Sequence, residues 1–183
     1  MIPLKEFPRM REAYLRVPCD VVEKEEAKSL KDFILEFFPK KGAHAVAAPQ
    51  IGIQKRAFLA KLKTGWVFAC NPVILEKEEP FIFNNEACLS FPGIVKNTLR
   101  YKRIKVKYLD EDYEERLVML EDLEAVIFQH EIDHLNGVLF KDRVQKPFKR
   151  ATKKIGRNDF CPYCMDSGLI IKWKKCGRHN DGK

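Results

Sequence analysis

The chain has no apolar run approaching the roughly 20 residues needed to cross a bilayer. A membrane-spanning helix is therefore not expected. Its first residues, Met1-Ile2-Pro3-Leu4-Lys5-Glu6, lack the basic segment and apolar core of a secretory signal. The expected location is the cytoplasm. No internal repeat and no low-complexity linker is found, which argues against a repeat array. Cysteine is scarce for a disulfide-built fold, with six in 183 residues and no secretory signal. Clustered cysteines in such a chain read as metal ligands rather than as a disulfide framework.

Excess positive charge is also missing from most of the molecule. Thirteen Lys or Arg and four Asp fall in residues 141–183, a charge of +9, so the chain total of +8 leaves −1 for residues 1–140. A near-neutral body with a basic tail suggests that the tail meets a polyanion, with RNA or a membrane surface as candidates. The bland reading is a solvated tail. A hydrophobic content of 45% over 183 residues suits one compact domain with a small appendage.

Residues 1–20 read as an irregular arm, since Pro3, Pro8 and Pro18 interrupt any helix. In 24–38, Ala27, Leu30, Phe33, Ile34 and Phe37 recur at helical spacing, and Pro39 and Gly42 end the pattern. Residues 42–52 are mostly small and allow close backbone approach. Gln50 is the one amide there and can donate to a developing oxyanion, although a tight turn explains the run equally well. Short apolar strands are expected at 57–60, 66–70 and 80–83, broken at Gly65, Asn71-Pro72 and Asn84-Asn85. A hairpin is expected from 104–109 and 115–119 around Asp110-Glu111-Asp112. Strands crowd ahead of one central helix, so the fold class is α+β.

That helix is expected from about Glu121 to a cap at Asn136-Gly137. It carries Gln129-His130-Glu131-Ile132-Asp133-His134-Leu135. Residues four apart share a helix face, so His130 and His134 can grip one metal ion. Glu131 is placed to take a proton from a metal-bound water, the logic of metal-assisted hydrolysis. Leu123, Val126 and Ile127 share the His130 face and line either a substrate slot or plain core.

Taken together, 86–90 (Glu-Ala-Cys-Leu-Ser) and 129–135 resemble two signatures of the bacterial peptide deformylases, and 47–52 resembles a third, all in the family's order. The resemblance covers about residues 1–145. It implies an antiparallel sheet around the metal helix, and removal of the formyl group from N-terminal formylmethionine of nascent chains. It implies Cys88, His130 and His134 as metal ligands, Glu131 as general base and acid, and Gln50 with the Leu89 N–H as oxyanion donors. Two His and one Cys leave a fourth position open, as a catalytic site requires. The family commonly uses ferrous iron and also works with zinc or nickel. Cys19 and Cys70 read as small buried hydrophobes. The chain departs from the family at Ala43, Ala45 and Ala87, where glycine is usual, and at His44, where an apolar residue is usual near the methionine pocket. Extra methyls at Ala45 or Ala87 are expected to crowd the substrate backbone.

Beyond a basic linker at 146–155, residues 156–183 pair Cys161 and Cys164 with Cys176 and His179. Four N/S ligands with no open position describe a structural zinc site. In so short a stretch the metal would supply most of the folding energy. The segment partly resembles the SEC-C zinc-binding tail of the bacterial secretion ATPase, which is usually tighter. The resemblance implies contact with the ribosome, its RNA or a protein partner. Two rivals remain at this stage. One is a non-catalytic ribosome- or chaperone-binding adaptor on a deformylase fold. The other is a His-Glu-x-x-His peptidase, disfavoured by a cysteine third ligand.

Overall fold

A computed structural model describes residues 1–144 of the chain. The expected linker at 146–155 and the zinc residues Cys161, Cys164, Cys176 and His179 lie outside the described residues. After a 3-10 turn at Leu4–Glu6 come the short helix α1 (Glu12–Leu15) and the longer α2 (Lys24–Phe37). Then follow β1 (Ala45–Ala47), a 3-10 turn at Ala48–Ile51, β2 (Ala57–Leu62), β3 (Gly65–Ala87), β4 (Val95–Leu109), β5 (Glu115–Glu121) and α3 (Asp122–Leu135). The five strands form one antiparallel sheet in the order β1-β2-β3-β4-β5. This agrees with the α+β class.

At the start of helix α2 the Glu23 N–H donates to the Glu26 carboxylate at 2.9 Å, and the Glu26 N–H donates to the Glu23 backbone carbonyl at 3.1 Å. It buries Ala27, Leu30 and Ile34, a stripe at helical period. Phe33, expected on that stripe, points outward at 40% exposure and packs on Phe37 one turn along, with centroids 5.0 Å apart.

The expected strand breaks at Asn71-Pro72 and Asn84-Asn85 are bulges inside the single 23-residue strand β3. Its register against β4 shifts between Cys70 and Val73, between Ile74 and Glu76, and between Phe83 and Glu86. Asparagine tolerates the left-handed backbone that a bulge demands, and Asn71 and Asn85 take φ of 51° and 60°. The Asn71 amide donates to the Val22 carbonyl and accepts from the Val22 N–H, both at 2.9 Å. A turn signal in sequence thus became a bend, because β4 pairs with β3 from Cys70↔Leu109 to Ala87↔Val95. The small-residue run at 45–47 is a strand paired with 58–60. Ala45 and Ala47 sit in one apolar cluster with Ala125 and Phe128 of α3, so small side chains let the helix lie close to the sheet.

Helix α3 starts without a loop after β5, the chain turning at Asp122 with φ of 49°. It is buried at Ala125–Gln129 and again at Glu131–Leu135, so nearly its whole circumference is covered by apolar packing on one side and by the polar site on the other. Phe128 meets Phe58 edge-on at 4.9 Å and Tyr108 at 6.0 Å. The helix ends at Gly137, whose φ of 70° is the left-handed cap conformation. A Cβ built there falls 2.4 Å from the Arg16 carbonyl oxygen. Gly137→Ala is therefore expected to cost about 2–3 kcal/mol, from backbone strain plus overpacking, read as a lower urea midpoint. An unchanged midpoint would mean that the N-terminal arm yields freely.

Candidate active site

Cys88 follows the end of β3, and His130, Glu131 and His134 come from α3, with Gln50 supplied by the 3-10 turn after β1. One ligand atom each from Cys88, His130 and His134 lies within 4.8 Å of the other two. The Cys88 sulfur is 3.3 Å from His134 Nε2, and Gln50 Nε2 donates toward that sulfur at 3.5 Å and to the Ser90 hydroxyl at 3.2 Å. The other end of the Gln50 amide is fixed, since Oε1 accepts the Ala47 N–H at 2.9 Å. The Gln50 side chain is thus held with its N–H toward Cys88.

Behind the first histidine lies a buried charge network. His130 Nδ1 is 2.6 Å from Glu86 Oε1, which leaves Nε2 facing the Cys88 side, the usual arrangement for a metal-binding imidazole. Glu86 also accepts from Thr98 and from Arg100 Nε at 2.9 Å. Arg100 reaches Asp133 at 2.6 Å, and Arg143 binds Asp133 through Nη2 at 2.6 Å. Burial works to raise the Glu86 carboxyl, but hydrogen bonds from His130 and Arg100 prevail and hold it well below the usual carboxylate range. From sequence alone Glu86, Thr98, Arg100 and Asp133 carry no individual role, and Arg143 counts only as one of the basic residues of 141–183. A signal was present: Thr98 and Arg100 are in phase with the core positions Ile104, Val106 and Tyr108 of β4, so a charged residue falls where an apolar one is expected.

Glu131 differs from Glu86. Its Oε2 is buried without a hydrogen-bond partner, as is His134 Nδ1. Burial pushes the Glu131 carboxyl up to about 7, although His130 and Arg100 oppose it. Among buried polar groups such orphans are rare, and a carboxylate poised near neutrality is suited to exchange protons. Three convergent soft and borderline donors, with an unpaired carboxylate beside them, fit a divalent metal with an open position.

The site opens into a cleft of about 810 Å³. Leu123, Val126 and Ile127 lie on its wall, as do His44, Ala45, Ala87 and Leu89. Val126 and Ile127 are buried, whereas Leu123 is 44% exposed at the edge. Ala43, Ala45 and Ala87 are absent from the residues with positive φ, so alanine at these positions carries no left-handed strain. Cys19 and Cys70 are buried elsewhere, and burial pushes both thiols up to about 11, as fits inert core cysteines.

Comparison with known proteins agrees with this geometry. The polypeptide deformylase family model matches residues 4–150. The chain is 38% identical over 167 residues to a peptide deformylase of Prochlorococcus marinus, covering 86% of this chain and 81% of that one. It is 32% identical over 185 residues to a peptide deformylase of Thermus thermophilus, covering 86% and 95%. Among solved structures, a peptide deformylase from Thermus thermophilus superposes with a TM-score of 0.69 at 38% identity, covering 74% of this chain and 83% of that one. A Synechococcus elongatus peptide deformylase in complex with actinonin gives 0.70 at 30% identity, covering 77% and 79%. These likenesses favour catalysis over the adaptor reading. The chain belongs to the polypeptide deformylase family and is an enzyme of that family.

Proposed function

We propose that this protein hydrolyses the formyl amide of N-terminal formylmethionine on nascent polypeptides, releasing formate. The observation that carries it is the convergence of Cys88, His130 and His134 beside the unpaired Glu131 at the floor of an apolar-walled cleft. Cys88, His130 and His134 would hold the metal, ferrous iron by preference with zinc or nickel as substitutes. A divalent ion there supplies Lewis acidity to the attacking water and the formyl carbonyl. Glu131 takes the proton of that water and returns it to the leaving amine. The Gln50 amide and the Leu89 N–H donate to the formyl oxygen as charge develops on it. Leu123, Val126 and Ile127 receive the methionine side chain, while Ala45 and His44 border the substrate backbone. Formate release from a formyl-Met peptide by anaerobically purified protein, together with its metal content, tests this reading. Release that vanishes on chelation and returns with ferrous iron is expected. Cleavage of internal peptide bonds without formate would favour the peptidase instead.

The proposal extends to a cytoplasmic enzyme with a tail, residues 156–183, that binds zinc through Cys161, Cys164, Cys176 and His179. The sequence pattern supports this. The tail's charge favours contact with the ribosome, its RNA or another acidic partner. Truncation after Lys154 is expected to remove about one equivalent of zinc and leave formate release largely intact. Partner binding should weaken without vanishing, because Lys146, Lys149, Arg150, Lys153 and Lys154 remain, together with Lys141 and Arg143, which pair with Glu12 and Asp133. Unchanged zinc content would sink the tail assignment.

A further inference from the structure

We propose that the mouth of this cleft is a cationic rim selecting formylated peptides with an acidic side chain at the second or third residue. The inference rests on the deformylase reading and names the substrate class of that site. Lys5, Arg9 and His44 line the mouth. Among the described residues Lys5 and Arg9 make no ion pair. The carboxylates on the cleft wall are Glu86 and Glu131, both buried at its floor, and Glu86 is already committed to Arg100 and His130. Among the residues lining the cleft the free charge is thus of one sign, although exposed Glu6 flanks Lys5 and residues 1–140 as a whole carry −1.

The rim is built and not a loose arm. Ile2 is pinned between the Phe38 carbonyl at 3.1 Å and the Lys40 N–H at 3.0 Å, and Phe7 is buried in the apolar cluster that includes Ile34 and Phe38. Lys5 lies between these two anchors, and Arg9 follows the second. With the formylated end at the floor, the following residues of a peptide leave through this mouth. A carboxylate there meets unpaired, solvent-exposed cations at a concave surface, where charge complementarity gives selectivity.

The test compares kcat/KM for formyl-Met-Xaa-Ala-amide and formyl-Met-Ala-Xaa-amide, with Xaa as Asp, Asn or Lys. In the wild-type holoenzyme Asp is expected to exceed Lys by about three- to tenfold, given modest gains per exposed pair. The preference should shrink as salt rises. Lys5→Glu with Arg9→Glu should invert the Asp-to-Lys ratio, and Lys5→Gln with Arg9→Gln should bring it to about one. The ratio is taken within each variant, so any general loss of activity cancels. A ratio that neither variant moves, or a wild-type preference for Lys, overturns the rim. If no formyl peptide is hydrolysed, the deformylase reading fails separately. Calorimetric binding of the same peptides then judges the rim, and equal affinity for Asp and Lys peptides overturns it.

Discussion

Glu131→Gln is expected to keep the metal and lose about 10²–10⁴-fold in kcat/KM, the usual contribution of a positioned acid–base group. The amide matches the carboxylate in shape, so Cys88, His130 and His134 keep their places, but it cannot accept a proton. The pH profile gives an independent readout. Glu131 works as a base only when ionised, so activity falls as pH drops through its pKa. Burial pushes that carboxyl from an ordinary 4.5 up to about 7, and a bound dication pulls it back. The acid limb of kcat/KM should therefore lie between those two values. Residual activity in Glu131→Gln should lack the limb. Near-normal turnover in the variant would reject the assignment.

Arg100→Met should lower unfolding free energy by about 3–5 kcal/mol, because it leaves buried carboxylates uncompensated. Arg100 is 2% exposed and donates to both Glu86 and Asp133. Without it Glu86 keeps Thr98 and His130 alone, while Asp133 keeps the half-exposed Arg143. The sign with pH follows from Glu86. Its native pKa is depressed, so the ionised group favours folding above the unfolded carboxylate value of about 4.3. That contribution is lost as pH falls through the lower native pKa. The deficit of Arg100→Met should thus be full near neutrality and shrink in acid. Urea unfolding at pH 7 and in acid measures it, with a shifted midpoint and a similar slope expected. Because Glu86 orients His130, metal affinity should also fall, about 10–100-fold for a lost supporting partner. An unchanged midpoint at pH 7 would show that Arg100 does not hold the network together.

By itself the sequence determined the parts that depend on local order. A four-residue spacing on one helix is enough to aim His130 and His134 together, and Glu131 follows from adjacency to His130. The extent of α2, the 104–119 hairpin and the Gly137 cap are likewise written in period and turn chemistry. The family signatures added Cys88 and Gln50. The 46-residue separation of Cys88 from His134 is invisible to any periodic pattern, and only the fold brings the sulfur to the helix. Tertiary structure also decided that Asn71 and Asn85 bend one long strand and do not end it. A turn-forming residue ends a strand only where no partner strand continues the ladder, and β4 continues it here. It decided that Arg100 is a core residue. A guanidinium is expected at the surface unless fixed carboxylates await it inside, and Glu86 and Asp133 reach it from β3 and α3. Finally, it decided that the arm holding Lys5 and Arg9 walls the catalytic cleft. That placement follows from the burial of Phe7 and the pinning of Ile2 against Phe38 and Lys40, long-range contacts that local sequence does not encode.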